Sequence, residues 1–444
     1  MSLLSDLPVI DRFPTVDELH SWATQLAADH PDAVRIADLG RSRGGDSLQL
    51  LTIAPERSRG SVLVVGAPHP NEPIGLSTIM VLAERLVRDV AERDRLGVTW
   101  HFVPCADPDG VRLNEGWFDD PWSREHYARH FFRPGTEAQV EWTFPFATDG
   151  FSVDAPMPET VALMRAIDQT SPDVLCSLHN AELGGAYFYA PEGMPDLYAE
   201  LTALCERHEV PLHRGEPETP ISAVLAPSVY SVPTAAGIHA MATALGIEPA
   251  DVIAGGSSLD YASRFKTTYP LVIELPYWRD PRAADTSGDG TGRTRRQVVL
   301  ECLDRREADL DLLERLVADA EPLPASPITD AVRSFLAQDR SGWIEGERAT
   351  AENDSDYDRP VTVAEAMTAV DDVHMFRLRL GGMLLRVIPG ATPAHEAAEV
   401  VFAEWVAQAA ADDRSEAMAI RDLVAVQAGA ILAVVDHALV AMGE

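Results

Sequence analysis

The chain predicts an α/β protein, a mixed sheet with helices on both faces, followed by a mainly helical C-terminal region. Three observations carry this. Runs rich in β-branched and small apolar residues, such as "SVLVVGA" (61–67), "DVLCSLH" (173–179) and "YPLVIEL" (269–275), read as buried strands. Amphipathic stretches such as "IGLSTIMVLAERLVRDVAERD" (74–94) alternate with them, and that alternation marks a sheet covered by helices. At 444 residues the chain exceeds one average domain and is long enough for a substantial core.

The elements follow in order. A helix is expected from Thr15, where "TVDELHSWATQLAADH" offers a Thr cap, early acids and apolar residues at helical spacing. Strands at "SLQLLTIA" (47–54) and 61–67 precede the 74–94 helix, and "GVTWHFVPC" (97–105) is the next strand. Residues 107–155 are aromatic-rich and punctuated by Gly and Pro, and irregular runs of this length inside a domain are often functional. Then come a helix at "PMPETVALMRAIDQTSP", a strand at "DVLCSLHNA", a strand at "GAYFYAP" and a helix at "PDLYAELTALCERHEV". A strand at "YPLVIELPYW" and a long helix over 293–320 close a unit expected to span 1–320.

Residues 321–444 change character. "EPLPASPITD" reads as a Pro-rich linker, "GERATAENDSDYDRP" (346–360) as a polar loop, and "MFRLRLGGMLLRVIP" (375–389) as a hairpin turning at its Gly-Gly pair. Two Ala-rich helices finish the chain. Two roles stay open for this region: capping the active-site crevice, or self-association into a homo-oligomer.

The formal charge of -34, from 70 acidic against 36 basic side chains with Lys266 the single lysine, opposes phosphate backbones and anionic membranes. Nucleic acid is excluded as a partner on that ground. The opening "MSLLSDLPVIDRFPTVDEL" has no basic or apolar leader pattern, and "AGAILAVVDHALVAM" is interrupted by Asp436 and His437. No membrane span is expected. The four cysteines, Cys105, Cys176, Cys205 and Cys302, form no CxxC pair and read as buried thiols in a reducing, cytoplasmic setting. "DTSGDGTGRTRR" (285–296) imitates a calcium loop, but Arg296 stands where a bidentate Glu is needed.

Chemistry gathers at strand ends. His69 and Glu72 follow the 61–67 strand directly, and His179 ends another; ligands collect outside the carboxyl ends of strands in open α/β sheets. Two neutral imidazoles and one carboxylate make a three-ligand zinc set that leaves one position for water. Glu274 is an acid inside an apolar strand, where an unpaired charge is costly. It reads as half of a salt bridge or as a general base.

Five ordered segments carry a resemblance to the zinc carboxypeptidase (M14) family: "HPNE" (69–72), "DPDG" (107–110), "SLHN" (177–180), "GGSSLDY" (255–261) and "VIEL" (272–275). "GRSRGG" before a strand resembles the start of the same domain, and the similarity covers about residues 12–320. The resemblance implies an α/β/α domain on an eight-stranded mixed sheet. It also implies one Zn2+ held by His69, Glu72 and His179, with Glu274 as general base, in hydrolysis of a peptide or small amide.

Family members grip a substrate carboxylate with an Asn-Arg pair, and none stands between Asp107 and His179. Arg129 or Arg133 is therefore the expected grip, Arg112 and Arg124 compete for the oxyanion, and Tyr261 is expected at the substrate. Where the family places a Tyr before Gly-Gly-Ser, this chain has Asp251 and Val252. One alternative is an N-acyl amino-acid deacylase of the succinylglutamate desuccinylase and aspartoacylase type. The other is a non-catalytic binding protein on the same fold, against which the complete ligand set and Glu274 argue.

Overall fold

A computed structural model describes residues 7–443 apart from 149, 216–220 and 265; residues 1–6, on which part of the leader reading rests, lie outside it. Among the described residues the main sheet has nine strands, one more than the expected eight. Their order is 34–41, 47–53, 98–103, 60–65, 174–179, 269–274, 187–189, 229–230, 224–226. The four central strands, from 98–103 to 269–274, run parallel, and antiparallel pairs flank them.

Period-two burial explains why both faces are covered. Along Gly60–Val65, Val62 and Val64 enter one core while Leu63 and Val65 enter the other. The first core receives the helices Ile74–Arg88, Pro195–Arg207 and Ile420–Ala441; the second receives Pro158–Thr170. The expected capping box at Thr15 is present, starting Val16–Asp29. The 74–94 stretch divides at Asp89, whose side chain accepts from Glu92 N and starts a new helix, Val90–Leu96.

The 107–155 stretch contains the short helices Pro108–Asn114 and Arg124–His130 and a small hairpin, Phe146–Thr148 with Phe151–Val153. The C-terminal region differs from expectation in three places, the first being the Pro-rich linker, whose last four residues start the helix Pro327–Gln338. The polar stretch over 346–360 is mostly helical, within Ile344–Asn353. The expected hairpin is instead the C-terminal half of one long helix, Val363–Val387. That helix is buried on nearly all sides, including Met375, Arg377, Leu378, Leu380, Met383 and Leu384, so no one-sided stripe betrays its 3.6-residue period.

Its Gly-Gly pair serves close packing instead of a turn: a Cβ on Gly382 would collide with the carbonyl of Ala128, and one on Gly381 would press on Phe402 and Trp405. The helix packs on Arg295–Ala320, Arg124–His130 and Pro393–Asp412. Ile420–Ala441 is long and apolar enough to cross a membrane by composition, yet 83% of its apolar window is buried against Ile74–Arg88, Pro195–Arg207 and the sheet. The four cysteines are free and buried.

Candidate metal centre

Three adjacent parallel strands deliver the site. Gly60–Val65, Val174–His179 and Tyr269–Glu274 end at the same edge of the sheet, in the order that puts the His179 strand in the middle. Beyond the first, the chain turns at Ala67, whose φ of 45 is unusual for a residue with a side chain, and presents His69 and Glu72 before Ile74–Arg88 begins. Glu72 N donates to His69 O at 3.1 Å, closing the turn. Gly75 lets this loop lie against the next strand, because a Cβ there would stand 2.9 Å from Leu178 Cβ.

His69, Glu72 and His179 are buried, and one ligand atom from each lies within 4.8 Å of the others. Donors at ~2.1 Å from one tetrahedral ion sit ~3.4 Å apart, so a small contraction would make a coordination set. The polar atoms argue for a cation more directly than the spacing does. His69 Nδ1 and Glu72 Oε2 are buried without a hydrogen-bond partner. His179 Nδ1 is 2.9 Å from Glu72 Oε2, but that approach lacks hydrogen-bond geometry. Unpaired buried acceptors are costly, and a divalent ion would satisfy them together. The set therefore fits zinc.

Burial first, then the charges of Arg133 and His179, hold His69 well below the usual imidazole value, in the neutral form that ligates metal. His179 Nε2 is 3.0 Å from Ser177 Oγ, which fixes the ring from the side away from Glu72. Glu274 Oε1 stands 3.7 Å from His179 Nδ1. Behind the cluster, Asn180 Nδ2 donates to Leu275 O and its Oδ1 accepts from Ile74 N, joining the strand ends to the helix start. Tyr277 donates its hydroxyl to Asn71 O at 2.7 Å, and burial pushes that phenol well up. Gln427, from the distant helix Ile420–Ala441, donates Nε2 to His179 O at 3.2 Å and accepts from Thr78 Oγ1.

A sequence model described as zinc carboxypeptidase matches residues 19–280, more than half of the chain. The chain belongs to the zinc carboxypeptidase family. Among similar proteins, zinc carboxypeptidase A 1 of Anopheles gambiae is 28% identical over 150 residues, 32% of this chain and 34% of that protein. Zinc carboxypeptidase of Simulium vittatum is 24% identical over 166 residues, 36% of this chain and 53% of that one. The chain thus spans about a third to a half of the length of these relatives. Among solved structures, carboxypeptidase A from Helicoverpa armigera aligns at 16% identity over 77% of this chain and 75% of that one, with a TM-score of 0.41.

In this zinc carboxypeptidase-family chain the cluster opens into a cavity of about 610 Å³. Of the arginines expected at the site, Arg133 lines it, with Nη1 donating to Glu72 Oε1 at 2.8 Å. The others stand elsewhere because carboxylates hold them. Arg112 is bound by Asp46 and Asp17 at the surface. Arg124 lies between Asp371 and Asp413 and lines a second cavity of about 230 Å³. Arg129 pairs with Glu125 and Glu399 over the Phe402 ring. Tyr261 packs in the core on the other face of the sheet, its hydroxyl 3.2 Å from Asp168 and its ring against Arg264.

Sequence reading missed several wall residues. Glu182 lines the cavity, bridged to Arg379 of Val363–Val387 at 2.8 Å. Glu141 also lines it; Phe144 pairs with Gly256 as an isolated bridge and brings Glu141 to Ser258. Burial pushes the Glu141 carboxyl up. The C-terminal helices supply Phe335, Trp343, Met367, Phe376 and Met383 to the same wall. Of these, Glu141 alone carried a signal, an acid between apolar residues in "QVEWTF".

Proposed function

We propose that this protein is a zinc-dependent hydrolase that cleaves a peptide or peptide-like amide bond. The observation that carries the reading is the pair of orphaned buried donor atoms, His69 Nδ1 and Glu72 Oε2, beside His179, with Glu274 at the edge of the cluster. Zinc held by His69, Glu72 and His179 would supply Lewis-acid polarisation of the carbonyl and acidify water.

Glu274 takes one proton from the attacking water at a carboxylate oxygen. As the new carbon–oxygen bond forms and the carbon–nitrogen bond breaks, Glu274 returns that proton to the departing amine. Arg133, already in the cavity, orients the carbonyl oxygen with an N–H group. We place the protein in the cytoplasm, a reading supported by its four free, buried cysteines.

The test compares zinc-loaded parent protein and Glu274→Gln on peptides with free C-termini, peptides with blocked C-termini and N-acyl amino acids. Turnover by the parent, lost in Glu274→Gln at equal zinc content, supports hydrolysis. The preferred group of substrates separates peptidase from deacylase. Bound zinc without turnover across the panel favours a binding protein.

A further inference from the structure

We infer that the substrate carries a positively charged amine near the bond that is cleaved, and that Glu141 holds it. This rests on reading the cavity as an amide-hydrolase site.

Glu141 is 3% exposed and lines the same cavity as His69, Glu72, His179 and Glu274. Its two oxygens differ. Oε1 accepts from Ser258 N at 3.2 Å and from Ser258 Oγ at 2.6 Å, which fixes the carboxylate in place. Oε2 is buried with no partner. A carboxylate oxygen only accepts, so the missing partner is a donor, and a charged N–H is the strongest one available. A fold retains such an unmet group most readily where a ligand supplies the donor.

The rest of the cavity selects the same charge. Its arginines are already matched: Arg133 to Glu72, Arg379 to Glu182 and Arg306 to Asp339. A substrate carboxylate placed beside Glu141 would meet like charge. Trp142, Tyr187 and Tyr189 line the wall as well, and aromatic faces attract cations while tolerating the methylenes that bear them.

The experiment uses full-length, zinc-loaded Glu274→Gln protein, so that binding is read without turnover. Three probes share an N-acetylalanyl group joined as an amide to 1,4-diaminobutane, to butylamine or to 4-aminobutyrate. They present an ammonium, a methyl or a carboxylate at similar reach. Calorimetric titration is expected to give the ammonium probe ~10-fold or greater preference over both others, the scale of a charge-assisted contact. Adding Glu141→Gln is expected to reduce that probe to the affinity of the neutral one at unchanged zinc content.

Equal or tighter binding of the carboxylate or neutral probe overturns the inference, as does absence of binding by the ammonium probe or a preference that survives Glu141→Gln. The three-probe comparison stands without the second variant, should that variant fold poorly. Turnover by the parent protein is a separate reading: ammonium-selective binding without hydrolysis would remove the reaction and keep the recognition.

Discussion

Glu274 and His179 are direct register partners on adjacent parallel strands, and Glu274 Oε1 lies 3.7 Å from His179 Nδ1. Side chains at paired positions of parallel strands share a face, so the sheet itself sets the acid beside the imidazole. Shortening that acid should therefore be felt as a displacement. Glu274→Asp keeps the charge but withdraws the carboxylate by about one methylene, and kcat is expected to fall ~100-fold. Steady-state kinetics beside zinc analysis checks this, with metal content unchanged.

Ser177→Ala removes the group 3.0 Å from His179 Nε2. Loss of a hydrogen bond that orients a ligating imidazole typically weakens metal affinity ~10-fold or more. Competition with a chromophoric chelator should show that loss, while circular dichroism of the apo-protein stays unchanged.

Asp107 caps Pro108–Asn114 through Gly110 N and is buried, and that burial pushes its carboxyl up to about 7. The folded state therefore holds this proton more tightly than the unfolded chain, whose value is ~3.9. The contribution of Asp107 to stability is full below that lower value and declines as pH rises through about 7. Asn caps nearly as well without titrating. Melting temperature of the parent relative to Asp107→Asn should fall between pH 5 and pH 8, the ordinary carboxylate and neutral ranges.

Gly382→Ala places a methyl group against the Ala128 carbonyl, where backbone leaves no room. Separation of Val363–Val387 from Arg124–His130 should cost about 1–3 kcal/mol, as overpacking does. Urea denaturation of both proteins measures it. Gly390→Ala, at a position with open space around it, should stay within about 0.5 kcal/mol.

Arg133→Gln is expected to lower kcat/KM ~100-fold through loss of a donor at the carbonyl. Arg112→Gln breaks only pairs with Asp17 and Asp46 and should leave kcat/KM within about three-fold. Equal effects of the two would return the oxyanion role to the sequence expectation.

The residues of the metal cluster were legible because each is a chemically unusual side chain at the end of a strongly patterned strand. His69 and Glu72 leave 61–67 within one loop, and His179 and Glu274 terminate their strands. The arginines were not legible. A guanidinium reaches far, and its destination depends on carboxylates brought near by folding, such as Asp371 for Arg124. Long-range register was equally hidden: nothing local in "RLRLGG" states that Arg379 will meet Glu182. The long helix was misread for a related reason, since a helix buried all round loses the one-sided pattern by which helices are recognised.

The bond from Gln427 to the His179 carbonyl spans 248 residues of chain. Ribosomes add roughly 5–20 residues per second, so tens of seconds separate synthesis of the imidazole from arrival of the amide that buttresses it. During that interval the nascent polypeptide carries His69, Glu72 and His179 but not yet the helix Ile420–Ala441 that packs behind them. The candidate metal cluster therefore gains its buttress from Ile420–Ala441 late, well after its own side chains have been made.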